Sequence, residues 1–194
     1  MVLGRLRRLV NEVAPSTIGR ALHRAGVTPN EITYAGLALS ALAPLVVWLR
    51  ALYLLPVIIL LAGLMDVFDG AVARAANRTT PFGSYLDSVT DRVSDVLLFL
   101  AMAMTGVNQY ITMVALAFSL IVSYSRAKGE LLNVKMEGIG VAERGDRLII
   151  LFIMSILLLF RLRLVNDALM ALIATLAAVT VVQRSLRVSR ALAK

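Results

Sequence analysis

The chain has no cysteine and a single histidine, His23. The first absence excludes disulfides, thiolate metal sites and a cysteine nucleophile, and it suits a reducing cytoplasmic face. His23 stands alone in an amphipathic stretch and is assigned no chemistry. Charge is also scarce: 16% of the 194 residues are charged and 59% are hydrophobic, whereas a soluble domain carries about a quarter charged residues. With a mean hydropathy of +0.83, most of the chain must face lipid. No apolar core follows the basic start, so the N-terminus does not read as a cleaved signal peptide. Linkers, low-complexity tracts, internal repeats and a soluble second domain are missing, so one membrane domain is expected over 1–194.

Leu3, Leu6, Val10 and Val13 recur at helical spacing, with Arg5, Arg7, Arg8 and Asn11 between them. Pro15 interrupts this pattern, and Ile18, Leu22 and Ala25 continue the apolar stripe. The pattern predicts an amphipathic segment over 1–27 lying on the membrane surface. A mitochondrial transit peptide is the rival, and Glu12 counts against it. Six apolar stretches follow, over 32–50, 52–73, 85–105, 108–127, 147–164 and 167–183. Each is long enough to cross a bilayer at ~1.5 Å rise per residue. The expected fold is therefore an all-α integral membrane protein, with six transmembrane helices within 28–188. Thr28, Pro29 and Glu31 form the start signal of the first helix, a Thr-x-x-Glu capping box with proline in the first turn.

Basic residues set the orientation. Arg50, Arg161 and Arg163 are the only ones in the connections on one side; the other collects the N-terminal arginines, Arg74, Arg78, the 126–147 stretch and Arg184 to Lys194. The positive-inside rule puts both termini on the cytoplasmic side of a multi-pass cell-membrane protein. Trp48 and Tyr53 then fall near the outer boundary as interfacial anchors. The net charge of +8 flanks apolar spans and does not form one soluble stripe. Anionic lipid or a phosphate-bearing substrate is the expected partner, and nucleic acid is not.

Asp66, Asp69, Asp87 and Asp91 lie inside or at the edge of apolar spans, where ionised groups are costly and mark functional sites. Asp66 and Asp69 are three apart and Asp87 and Asp91 four apart, so each pair shares a helix face. Two converging pairs of like charge need something positive between them. Oxygen ligands without histidine or cysteine point to a hard divalent cation, Mg2+ or Mn2+. Leu52 to Met65 is an uncharged run of 14 residues, about 21 Å of helix, which places the carboxylates, and the site, towards the cytoplasmic edge. Gly70 and Ala73 keep the helix narrow there, and Arg74 supplies a guanidinium for phosphate.

The run Asp66-x-x-Asp69-Gly70-x-x-Ala73-Arg74, then eight residues, then Gly83-x-x-x-Asp87-x-x-x-Asp91 resembles the signature of the CDP-alcohol phosphotransferase family. All eight positions match in order and spacing. The resemblance implies six transmembrane helices around a polar cavity open to the cytoplasm, in a homodimer. It implies that Asp66, Asp69, Asp87 and Asp91 hold two divalent ions against a donor diphosphate, with Asp91 as general base. Pro29-Asn30-x-x-Thr33 looks like the family's nucleotide-side element. With Asp69, Gly70, Ala73, Arg74 and Gly83 it would surround the CDP of a CDP-lipid donor. The activity implied is transfer of a lipid phosphate to an alcohol with release of CMP, by direct in-line attack or through a covalent phospho-enzyme.

Each aspartate also has a structural reading. Asp87 could complete a Ser84-x-x-Asp87 capping box, and Asp69 could pair with Arg74, but together these leave Asp66 and Asp91 unexplained. Asp95 lies outside the signature and is expected to support neighbouring groups or pair helices. The acceptor is read from the second half. Arg126, Lys128, Arg144, Arg147 and Arg184 sit at the cytoplasmic ends of spans four to six and suit an acceptor carrying its own phosphate, a phosphorylated polyol. Topology alone also puts arginine at such ends. The segments Ser123 to Glu130, Glu143 to Arg147 and Gln183-Arg184 resemble the inositol-phosphate branch of the family, which implies inositol 1-phosphate as acceptor. Lys128 stands where that branch more often has arginine, which removes the planar fork. Glycerol 3-phosphate is the alternative acceptor, and a divalent-cation transporter the alternative from another class.

Overall fold

A computed structural model describes residues 18–75 and 80–193. The elements are α1 (Pro29–Trp48), a 3-10 turn (Leu52–Leu54), α2 (Leu55–Ala75), α3 (Pro81–Met104), α4 (Gln109–Leu131), α5 (Arg144–Leu159) and α6 (Arg163–Leu192). No strand occurs among the described residues. Residues 18–24 are also helical. Residues 1–17 of the expected interfacial segment, together with Arg78 and Lys194, lie outside the described residues.

Four helical stretches are long and apolar enough to cross a membrane: Pro29–Trp48, Leu52–Ala75, Gln109–Leu131 and Arg163–Leu192. The other two expected spans fall on α3 and α5. α3 has 24 residues but carries Asp87, Asp91, Arg92 and Asp95. α5 has 16 residues, about 24 Å of helix. Large apolar side chains such as Leu60, Leu100, Met113 and Leu164 are exposed, a surface suited to lipid and not to water.

Helix ends follow local chemistry. The Thr28 N–H donates to Glu31 Oε2 at 2.7 Å and the Glu31 N–H to Thr28 Oγ1 at 3.4 Å, the reciprocal box the sequence predicts for α1. α3 opens one turn earlier than its apolar run: Thr80 Oγ1 accepts from the Gly83 N–H at 3.0 Å. Asp87 is therefore inside the helix and does not cap it. α1 and α5 close at Arg50 (φ 59°) and Arg161 (φ 57°), left-handed positions that glycine usually fills. The chain turns back there, with Ala51 N–H donating to the Val46 carbonyl at 2.8 Å and Leu162 N–H to that of Leu157 at 3.4 Å.

The chain divides into two compact units, one of residues up to Ala43 with Val57–Leu97, the other of Pro44–Pro56 with the residues from Leu98 onward. In the first, Ile32, Ile58, Ile59, Ala62, Ala71 and Val72 are buried. α1 and α2 approach closely at Gly36, where a Cβ would stand 3.0 Å from Met65 Cβ. Gly19 likewise abuts α2, since a Cβ there would be 2.7 Å from the Ala71 carbonyl oxygen. The helical 18–24 stretch thus docks through a glycine, while Ile18 of its apolar stripe is exposed. In the second unit α6 packs on α4 and α5, with Ala115, Ser119, Leu151, Met154, Met170, Ile173 and Ala177 buried. Small residues allow this close packing, which holds membrane helices together where lipid removes the hydrophobic drive.

Candidate active site and metal centre

α2 and α3 bring three of the four signature aspartates together. Carboxylate oxygens of Asp66, Asp69 and Asp87 all lie within 4.8 Å of one another. Asp69 is buried, and Asp66 and Asp87 are half-buried. Three ionised carboxylates at that spacing repel by roughly 3 kcal/mol per pair at an effective dielectric of about 20. The donor set is all oxygen and tightly convergent, so it fits a hard divalent cation, which removes that repulsion. Asp91 does not join this triangle. It sits one turn further along α3, with Oδ2 at 3.9 Å from Arg92 Nη1, and Arg92 also donates to the Ser88 carbonyl. Asp95, another turn on, is buried.

The residues expected on the nucleotide side lie in the same unit as the triangle, and one of them touches it. Thr33 Oγ1 donates to Asp69 Oδ2 at 2.9 Å. That bond, and not a pair with Arg74, is what holds Asp69. The Arg74 guanidinium folds over Gly70, where a Cβ would lie 3.3 Å from Nη1, so the glycine makes room for it. Gly83 leaves a similar gap, since a Cβ there would be 3.0 Å from Thr80 Oγ1 and 3.5 Å from Asn30 Oδ1. Pro29, Asn30, Gly70, Ala73 and Gly83 are half-buried and Arg74 is exposed.

The second unit carries a basic cluster. Arg184 of α6 is buried, and its Nε and Nη1 donate to the Ile139 and Val122 carbonyls at 2.9 and 2.6 Å. Arg126 and Arg147 are within electrostatic reach of it, as are Glu130 and Glu143. Arg147 is buried. Arg126 is exposed and its Nε donates to Glu130 Oε1 at 2.9 Å. Lys128 is exposed and Arg144 half-buried at the start of α5, where the Glu143 N–H donates to Asp146 Oδ2 at 2.8 Å. The 132–143 loop is pinned beside this cluster. Met136 fills the space over Gly129, Gly140 (φ 131°) lies against Thr180, and the Ala142 N–H reaches Thr180 Oγ1 at 3.3 Å. Sequence reading brought the three arginines together but missed the carbonyls that hold Arg184 and the glutamate beside Arg126. Glu130, four residues after Arg126, was the available signal.

Four helices long and apolar enough to cross a membrane and a carboxylate triangle on α2 and α3 that could hold a metal ion are the features of an integral membrane protein with a candidate metal site. The profile of the CDP-alcohol phosphatidyltransferase family matches residues 26–183, and the chain belongs to that family. It is 38% identical over 187 residues to the archaetidylinositol phosphate synthase of Aeropyrum pernix, covering 94% of each chain. It is 32% identical over 178 residues to the phosphatidylinositol phosphate synthase of Mycolicibacterium smegmatis, covering 86% of this chain and 80% of that one. The crystal structure of Mycobacterium tuberculosis phosphatidylinositol phosphate synthase with CDP-DAG bound superposes with a TM-score of 0.76 at 28% identity, covering 93% and 94%. The same enzyme in complex with manganese and citrate gives 0.78 at 28% identity, covering 90% and 88%.

Proposed function

We propose that this enzyme transfers the phospholipid moiety of a CDP-lipid, CDP-diacylglycerol or CDP-archaeol, to a hydroxyl of inositol 1-phosphate and releases CMP. The observation that carries this reading is the convergence of Asp66, Asp69 and Asp87 beside Thr33, Asn30, Gly70, Arg74 and Gly83. The archaetidylinositol phosphate and phosphatidylinositol phosphate synthases among its archaeal and mycobacterial relatives support the acceptor.

Asp66, Asp69 and Asp87, with Asp91 as a further ligand, would hold two Mg2+ or Mn2+ ions. When bound, they supply positive charge to the donor diphosphate and its departing phosphate. Pro29, Asn30, Thr33, Asp69, Gly70, Ala73 and Gly83 line the CDP moiety, and the Arg74 fork grips phosphate. Asp91 accepts the proton of the acceptor hydroxyl as its oxygen bonds to the lipid-side phosphorus and the bond to CMP breaks. A carboxylate has two oxygens and so can serve both roles, and the place of Asp91 one turn outside the triangle supports its use as base. Arg126, Arg147 and Arg184 hold the acceptor phosphate, with Lys128 and Arg144 adding charge. Holding that phosphate on arginine keeps it from competing with the donor diphosphate for the metals.

Six crossings, with both termini and the site on the cytoplasmic side, fit the distribution of basic residues. A homodimer follows from the family resemblance. The experiment is an acceptor screen with purified enzyme, comparing inositol 1-phosphate, glycerol 3-phosphate, serine and free inositol. Inositol 1-phosphate is expected to win. A win for glycerol 3-phosphate removes the inositol assignment and keeps the phosphate grip; a win for serine or free inositol removes both.

A further inference from the structure

Thr33 enters the site from a direction its sequence motif does not suggest. Its Oγ1 lies 2.9 Å from Asp69 Oδ2 and 3.1 Å from the Pro29 carbonyl oxygen. The hydroxyl has one proton. A carboxylate is roughly twice as strong an acceptor as a neutral carbonyl, so the proton belongs to Asp69. Asp69 is the most buried member of the carboxylate triangle, and Thr33 itself is buried beside it. Water therefore offers little competition for this bond.

Reach depends on the spacing of two helices. One turn after Thr33, Gly36 faces α2 with no side chain, and a Cβ there would stand 3.0 Å from Met65 Cβ. Met65 is one turn before Asp69. The glycine thus sets how near α1 comes to α2 at the point where the hydroxyl bridges them. We infer that Thr33, kept in reach by Gly36, is a positioning residue that orients the Asp69 carboxylate for a divalent cation. A carboxylate whose one oxygen is tethered loses rotational freedom before the ion arrives, which raises affinity without adding a ligand.

This inference rests on the metal-centre reading, and the test separates the two. Mn2+ is titrated into the purified full chain, with the free ion read by its paramagnetic resonance signal and folding checked by melting in chelator. Thr33→Val keeps the shape and removes the donor; it is expected to weaken Mn2+ binding about tenfold or more at an unchanged melting temperature. Thr33→Ser restores the hydroxyl and is expected to bind nearly as the wild type. Gly36→Val leaves the hydroxyl in place but pushes the helices apart, and it is expected to weaken binding in the same direction. Thr33→Val binding Mn2+ as tightly as the wild type overturns the inference, and so does Thr33→Ser binding as poorly as Thr33→Val. Should Thr33→Val fail to fold, a folded Gly36→Val of unchanged affinity overturns it instead. If the wild type and Asp69→Asn bind Mn2+ alike, the metal centre itself fails and the inference falls with it.

Discussion

The carboxylate triangle and the arginine cluster solve opposite problems with the same rule. Asp66, Asp69 and Asp87 concentrate like charge within 4.8 Å, with the hydroxyl of Thr33 bonded to Asp69. Arg184 is buried, and two of its nitrogens are tied to the backbone carbonyls of Ile139 and Val122. Arg126 is balanced by Glu130. Three carboxylates converging on one point suit completion by a cation, while Arg184 and Arg126 of the basic cluster already hold protein acceptors. Buried charge needs compensation in either case.

Asn substitutions in the triangle test the acidic half of that contrast and should have the largest effect. Asp66→Asn, Asp69→Asn and Asp87→Asn each remove an anionic oxygen ligand and are expected to abolish CMP release while the protein stays folded. Loss of activity accompanied by loss of the folded helical signal would make these aspartates structural. Next in size is Asp91→Asn, expected to lower turnover ~100-fold or more, as removal of a general base typically does. Isothermal titration with CDP should show much less change in donor binding. Equal loss of both would make Asp91 chiefly a metal ligand.

The basic half predicts smaller effects that differ among the arginines. Arg147→Ala should lower acceptor kcat/KM roughly ten- to a hundred-fold, the value of about 1.5–3 kcal/mol for one charge-assisted contact. Arg184→Ala should add a loss of stability of about 1–3 kcal/mol, because the Ile139 carbonyl is left without its donor. Thermal melting beside steady-state kinetics separates the two. An Arg184→Ala protein as stable as the wild type would mean that the loop does not depend on it.

The signature was legible because its spacing is helical arithmetic. Residues three and four apart on two adjacent helices must converge if the turn between them is short, and Thr28 with Glu31 announced the start of α1. Helix ends were less legible. Arg50 and Arg161 adopt the left-handed conformation without glycine, so nothing in their identity marks a stop. The fifth span, expected over 147–164, is a helix from Arg144 to Leu159, and the sixth, expected to 183, continues to Leu192. Arginine tolerates both the apolar span and its polar end, so hydropathy alone does not end a helix there. Tertiary partners were hidden for another reason. The Thr33 bond joins residues 36 apart and the Arg184 bond to Val122 residues 62 apart. No local pattern encodes such pairs. Thr33 was read as a nucleotide contact, and Gly36 carried no signal at all.

The central claim is that the aspartates of α2 and α3 assemble a cation-dependent site for CDP-lipid transfer. The most direct measurement is CMP release by the purified enzyme from CDP-diacylglycerol or CDP-archaeol and inositol 1-phosphate, with chelator and then with Mg2+ or Mn2+ restored. The account predicts no CMP in chelator, recovery on adding the cation, and no recovery in Asp69→Asn. CMP released at an undiminished rate in chelator would contradict it.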